Sequence, residues 1–310
     1  MSKQLWTKKK NIIGVSPMDG ITDAPFRFII DKYGKPDVIF TEFVSVDGLA
    51  QGRLPVFDGL IRNKTNTSIV AQLIGSDPDK FYLSTIIALT LGFDGIDINM
   101  GCPDKSVNFR GGGAALINEP KLTCQIINSV KKAVSEKHLV PISVKTRLGY
   151  HSVDLDWFKT LLERDPDAII IHGRTFDQRF HGQADWDSIG KVVELAKNTK
   201  TKIIGNGDVK NRKDALGKIK EYHVDGVLIG RACRGNPWVF TDHESTIDER
   251  KKIMIEHCEK FLELLPDRDF NSLRKHMAWY CKDFPGSASI RNQLTKINNL
   301  KDVEEILKQI

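Results

Sequence analysis

Eight short apolar runs, separated by amphipathic stretches, constrain this sequence more than any other feature. They fall at 12–16, 38–42, 68–73, 95–99, 141–146, 168–172, 202–206 and 226–230. Most are near-continuously apolar, as parallel strands buried on both faces must be. The stretches between them carry helix signals. Thr22-Asp23 precede Pro25, Ser76-Asp77 precede Pro78 and Asn118 precedes Pro120, while Gly34 and Gly92 close the first two segments. A polar N-cap, an early proline and a terminal glycine punctuate a helix in this way. Residues 187–199 and 211–222 read as further helices, whereas 47–67 holds a short helix at most. Eight strand–helix alternations predict an α/β chain, and a closed (β/α)8 TIM barrel rather than an open doubly wound sheet. An open dinucleotide-binding sheet calls for a GxGxxG turn after its first strand. Here that turn reads Ser16-Pro17-Met18-Asp19-Gly20.

The alternation stops near Phe240. From 247 onward no strand run occurs, and 250–264, 270–282 and 302–309 have helical patterns. The chain therefore divides into a barrel domain, 1–243, and a smaller all-helical C-terminal domain, 244–310. Within the latter, 271–296 carries Arg274, Lys275, Lys282, Arg291 and Lys296 against Asp283 alone, a net of +4. The whole chain, at +6, is compatible with a polyanionic partner without demanding one. No apolar run approaches the ~20 residues that span a bilayer. The Lys-rich segment 1–10 is not followed by the apolar stretch of a secretory signal. Five cysteines, an odd number with no CxxC, argue against a disulfide framework and for a reducing cytoplasm. His257, Cys258, His276 and Cys281 match no standard ligand spacing, so no metal is expected.

In a barrel of this kind the chemistry sits at the C-terminal ends of the strands. Each run here ends in something polar: Ser16-Pro17-Met18, Glu42, Gln72, Asn99, Lys145, His172, Asn206-Gly207-Asp208 and Gly230-Arg231. The last two are small-residue turns after the seventh and eighth strands, where barrels bind phosphate on free backbone N–H groups. Lys145 closes a buried apolar run, so its charge needs a partner. Either the N1–C2=O edge of a reduced flavin or a nearby glutamate supplies one. His172 reads as a ring-facing group or as a satisfied core imidazole. The strongest local signal is Asn99-Met100-Gly101-Cys102-Pro103, followed by Gly111-Gly112-Gly113. A thiol on a loop over the barrel mouth, with an ordinary pKa of ~8.5, is mostly protonated at neutral pH. That suits a proton donor better than a nucleophile, which needs a base such as His172 or Lys145 within reach.

Taken together, these residues resemble the tRNA-dihydrouridine synthases. The resemblance rests on 17–27 (Pro-Met-Asp-Gly-Ile-Thr-Asp-Ala-Pro-Phe-Arg), 72–78, 97–103, Lys145-Thr146-Arg147, His172-Gly173-Arg174-Thr175, Gly205-Asn206-Gly207-Asp208 and Ile229-Gly230-Arg231. It runs from about residue 12 to 290. It implies an FMN-containing barrel, NADPH as reductant, tRNA as partner and substrate, and no membrane association, with the chain read as a monomer. Position by position, it implies that Pro17, Met18, Gln72, Lys145, His172, Asn206, Gly207, Asp208, Gly230 and Arg231 hold FMN. Cys102 matches the family's proton donor, and Asn99, Arg147 and Arg174 fall on the substrate side. Asp19 stands where many relatives have Ala, and Ser106 where many have a second Lys. The implied reaction reduces the uracil C5=C6 bond, with hydride from flavin N5 reaching C6 and a proton from Cys102 reaching C5. A dihydroorotate or dihydropyrimidine dehydrogenase shares the Asn-x-x-Cys-Pro element, and it lacks the basic helical tail.

Overall fold

The computed structural model describes residues 5–7, 9–62 and 64–310; part of the Lys-rich segment 1–10 therefore lies outside the described residues. Eight parallel strands close into a barrel in sequence order, β8 pairing back onto β1. They are β1 Ile12–Val15, β2 Val38–Ser45, β3 Ser68–Ile74, β4 Gly95–Met100, β5 Ile142–Arg147, β6 Ala168–His172, β7 Lys202–Asn206 and β8 Gly226–Ile229. The helices through the barrel are α1 Ala24–Gly34, α2 Val46–Ala50, α3 Leu54–Phe57, α4 Pro78–Thr90, α5 Lys105–Phe109, α6 Pro120–Lys137, α7 Leu155–Glu163, α8 Trp186–Ala196 and α9 Arg212–Tyr222. After them come α10 Ile247–Leu264, α11 Arg274–Tyr280, α12 Ser287–Leu294 and α13 Leu300–Leu307.

Local chemistry accounts for the boundaries. Asp23, Asp77, Asp154, Asp185 and Asn211 each cap a barrel helix by accepting a backbone N–H of its first turn. The expected cap at Asn118 does not form. Asn118 ends a 3-10 turn over Gly113–Asn118, and α6 starts behind Glu119 with no side-chain cap. β2 runs past Glu42 to Ser45 because its register with β3 slips between Phe40 and Phe43. Such a bulge re-aims side chains at a barrel rim.

The barrel interior is split by polarity. Ile12, Val38, Phe40, Val70, Ala168, Ile170, Ile204 and Leu228 form one apolar cluster inside it, with Trp6 buried against them. Higher up, β3, β4 and β5 turn Gln72, Asp97, Asn99, Ser143 and Lys145 inward. At the opposite end, one device recurs four times. Asp37, Asp94, Asp167 and Asp225 immediately precede the even-numbered strands. Their carboxylates accept from the backbone N–H of Ile13, Ile69, Ile142 and Ile203, on the odd strand before, at 2.9, 2.9, 2.8 and 2.9 Å. No such repeat is visible in the sequence, because each Asp is a single residue in a dissimilar context.

Helices α10–α13 follow the barrel, and they pack on its outside. Their core, including Met254, Phe261 and Met277, also takes in Ile29 of α1 and Trp238. Tyr33 of α1 donates to Glu256 Oε2 at 2.5 Å, and Lys32 pairs with the same carboxylate. No described helix is long and apolar enough to cross a membrane.

Candidate active site

The barrel gathers every strand-end residue named above around one mouth. On the β7–β8 side, Gly207 has φ 131°, and a side chain there would press on Ala184 at 2.7 Å. Among the described residues, the amides of Gly207, Asp208, Gly230 and Arg231 have no intramolecular hydrogen-bond partner. Four free N–H groups on two neighbouring turns are donors of the kind that can hold a phosphate. Met18 lies beside these turns; its own amide is taken by Thr22 Oγ1 at 3.1 Å, and its sulfur lies over Gly230. Asn206 ties the two strands by donating to the Leu228 carbonyl at 2.9 Å.

The Asp208 side chain is itself engaged. Its carboxylate accepts from Arg174 at 2.5 Å, from Arg231 at 2.8 Å and from the Ala184 amide at 2.9 Å. Burial alone raises its pKa, yet the hydrogen bond and charge of Arg174 hold it below the usual carboxylate range. Arg174 is only 2% exposed and fully engaged. It also donates to the carbonyls of His181 and Gly182, and its Nη1 meets His172 Nε2 at 3.3 Å. An arginine can only donate. His172 Nε2 is therefore the acceptor, and the imidazole is neutral with its proton on Nδ1. Burial and the surrounding cations push its pKa far down, in agreement with that state. Nδ1–H has no partner among the described residues.

Across the mouth, the ammonium of Lys145 makes no hydrogen bond or ion pair among the described residues. Burial, then Arg147, lower its pKa to about 8, with Asp97 opposing. Among the described residues, no glutamate pairs with it. An unpartnered cation in a largely closed site fits an anionic ring edge. Arg147 is 2% exposed. It donates to the carbonyls of Gly101, Thr175 and Arg179 at 2.7, 2.9 and 2.9 Å, fastening the β4 and β6 loops together. Arg147 thus spends three donors on backbone, and Arg174 divides its donors between two backbone carbonyls and the side chains of His172 and Asp208.

The β4 loop carries Cys102 over this space. Asn99 Oδ1 accepts from the amides of Gly101 and Cys102 at 3.1 and 2.9 Å, and Asn108 Nδ2 donates to the Cys102 carbonyl at 2.8 Å. Ser106, the departure in this loop, joins the cap of α5 by donating to Asp104 at 2.6 Å. Burial raises the Cys102 pKa; the Asp104 and Asp19 carboxylates add to the rise, and Arg147 and the Asp104 amide oppose it. The sulfur therefore stays a thiol at neutral pH.

Two features of the mouth escape sequence reading. Phe180 is 60% exposed, and its ring lies 5.8 and 5.9 Å from the guanidinium carbons of Arg147 and Arg231. Arg268, from beyond α10, places its guanidinium 3.6 Å from Asp23, 3.9 Å from Glu42 and 3.8 Å from Asp58. An exposed aromatic in a loop and a distant arginine carry no local sequence signal.

Comparison with known proteins supplies the family. The family described as Dihydrouridine synthase (Dus) matches residues 14–310. A protein of Staphylococcus aureus (strain MRSA252), named probable tRNA-dihydrouridine synthase, is 32% identical over 322 residues, covering 100% of this chain and 96% of its own. A probable tRNA-dihydrouridine synthase 1 of Synechocystis sp. is 32% identical over 309 residues, covering 95% of this chain and 84% of its own. Among solved structures, histamine dehydrogenase from Rhizobium sp. 4-9 is similar with a TM-score of 0.52 at 14% identity. It aligns with 80% of this chain, which spans 48% of that chain, and bears on the barrel fold alone. With its full-length relatives and family match, the chain belongs to the dihydrouridine synthase family.

Proposed function

We propose that this chain is a tRNA-dihydrouridine synthase that reduces the C5=C6 bond of a tRNA uridine, with FMN as its flavin and NADPH as reductant. The observation that carries the reading is the pairing, across one mouth, of an unpartnered Lys145 ammonium with four free amides at Gly207, Asp208, Gly230 and Arg231. That donor set suits a ligand with an anionic ring at one end and a phosphate at the other, as FMN has. Gln72, Lys145 and the Nδ1–H of His172 would meet the ring. The two turns and Arg231 would hold the phosphate, with Pro17 and Met18 beside them and Asn206 and Asp208 setting their shape. When bound, the flavin supplies the hydride that reaches C6 of the uracil.

The chain's own residues handle the proton. Cys102 is held as a thiol, and it is the general acid toward C5, a role typically giving ~10²–10⁴-fold. The thiolate left behind is stabilised by Arg147, whose charge already favours that form. Asn99 sets the height of the Cys102 loop through the two amides it accepts. Arg147 and Arg174 fix the loops around the base, and Phe180 gives it an apolar wall. The target uracil must leave its stack to enter. Residues 244–310 supply the cations that meet tRNA phosphates, so affinity falls with salt. A tRNA substrate places the enzyme in the cytoplasm.

The test is dihydrouridine by mass spectrometry after incubation of purified, flavin-loaded protein with NADPH and unmodified tRNA, with free uridine and orotate in parallel. Product at a mapped tRNA position is the expected result. Turnover of a free pyrimidine without product in tRNA reassigns the chain to the dehydrogenases, and no product anywhere overturns the activity.

A further inference from the structure

One buried carboxylate in the upper barrel, besides favouring the charge on Lys145, anchors a line of hydrogen bonds. Asp97 lies on β4, two residues before Asn99, and is fully buried. Its Oδ1 accepts from Ser143 Oγ at 2.6 Å and its Oδ2 from Gln72 Nε2 at 2.7 Å. The amide of Gln72 thereby turns its Oε1 toward Asn99, whose Nδ2 donates to it at 2.9 Å. Asn99 in turn offers Oδ1 to the amides of Gly101 and Cys102. A side-chain amide has one donor end and one acceptor end, so each link dictates the direction of the next. The chain of bonds has a single consistent polarity. It has an acceptor at its base, two backbone donors at its top and two amides between them that cannot be flipped singly. Removing the base leaves the Gln72 donor buried and unpaired, and that is costly enough to disorder the links above.

We infer that Asp97 is a positioning residue for Cys102, acting through Gln72 and Asn99 to fix the loop that presents the thiol. It touches neither thiol nor substrate. The inference rests on the proposed proton transfer for its kinetic consequence, but not for its structural one.

Three variants separate this role from simple packing. Asp97→Leu removes the acceptor. Asp97→Asn keeps an acceptor for Gln72, and its amino group can donate to Ser143 Oγ, so the polarity survives without the charge. Ser143→Ala cuts the other bond to Asp97 and leaves the chain to Cys102 whole. The readouts are hydrogen exchange of the Cys102 amide and iodoacetamide alkylation of Cys102 in the flavin-free protein, then kcat and KM for tRNA in the flavin-loaded one.

Asp97→Leu is expected to speed exchange at Cys102 by about tenfold or more through local opening. It is expected to lower kcat by roughly 10–100-fold through misplacement of the thiol, with KM for tRNA little changed. Asp97→Asn and Ser143→Ala should stay close to wild type. Should Asp97→Leu fail to fold, Gln72→Met, which removes both the donor to Asp97 and the acceptor for Asn99, must give the same faster exchange. Unchanged exchange in the variant that folds, or an equal effect from Ser143→Ala, overturns the inference. A wild-type enzyme that makes no dihydrouridine fails the functional reading, while exchange and alkylation still decide the role of Asp97.

Discussion

Replacing Glu42 by Gln should make the protein more stable, and increasingly so as pH rises. Glu42 is 7% exposed at the β2 bulge. Burial pushes its pKa from the ordinary 4.5 to about 7; Asp23 and Asp19 add to the rise, and Arg268 and Arg27 oppose it. Arg268 is shared among three carboxylates and is too thinly spread to offset the burial of each. The native state therefore keeps a proton on Glu42 that the unfolded chain releases. With the folded pKa raised, this group's contribution to stability is full below 4.5 and is lost as pH rises through about 7. At 1.36 kcal/mol per pH unit, the full gap amounts to about 3 kcal/mol. Gln copies the protonated acid in size and charge and does not titrate. The stability difference between variant and wild type should thus widen by about 2–3 kcal/mol between roughly pH 5 and pH 8.5. Urea unfolding of both proteins, in the same flavin state and at several pH values in that range, measures it. A difference that stays flat with pH, or a variant that loses stability at the alkaline end, refutes the reasoning, the latter because the Arg268 ion pairs would then outweigh burial.

Three further outcomes follow from the site and its support. Cys102→Ala should cut dihydrouridine formation by about 10²–10⁴-fold with flavin absorbance retained, because only the general acid is lost; full activity in that variant removes Cys102 from the mechanism. Lys145→Met should weaken flavin binding by about 1.5–3 kcal/mol, the worth of a charged hydrogen bond, as followed by flavin fluorescence. Wild-type affinity should decline above about pH 8, where the free ammonium gives up its proton, and the variant should not share that dependence. Gly205→Ala would set a methyl 2.3 and 2.5 Å from two ring atoms of Trp186, and a urea midpoint should register about 1–3 kcal/mol of overpacking.

The barrel is legible in the sequence because all eight strands are covered on both faces and so read as apolar runs. The helix caps at Asp23 and Asp77 are legible because they act on their own neighbours. What escapes is whatever acts at a distance. Asp97 sits inside an apolar run, and its importance comes from Gln72, on another strand. Arg147 and Arg174 stand at or just past strand ends, and the loop carbonyls they fasten, like Asp208 beside Arg174, come from other parts of the chain that no local pattern reveals. Helix α12 carries no start signal in the sequence, since Gly286 before it has no side chain to cap it. The apolar run predicts a strand end at Glu42, and the bulge that carries β2 on to Ser45 depends on pairing with β3.

The four aspartates at the base of the barrel bear on how it assembles. Each joins partners only 24, 25, 25 and 22 residues apart in the chain, and each couples β1–β2, β3–β4, β5–β6 or β7–β8. The barrel is thus four copies of a two-strand quarter, every one closed by a short-range bond of the same kind. Contacts local in sequence form fast, and within the sheet the closure of β8 onto β1 is the pairing of greatest sequence separation. A circular permutant opened between quarters keeps all four bonds local. One opened within a quarter turns its bond into a contact spanning the whole chain, and it should refold more slowly for that reason alone.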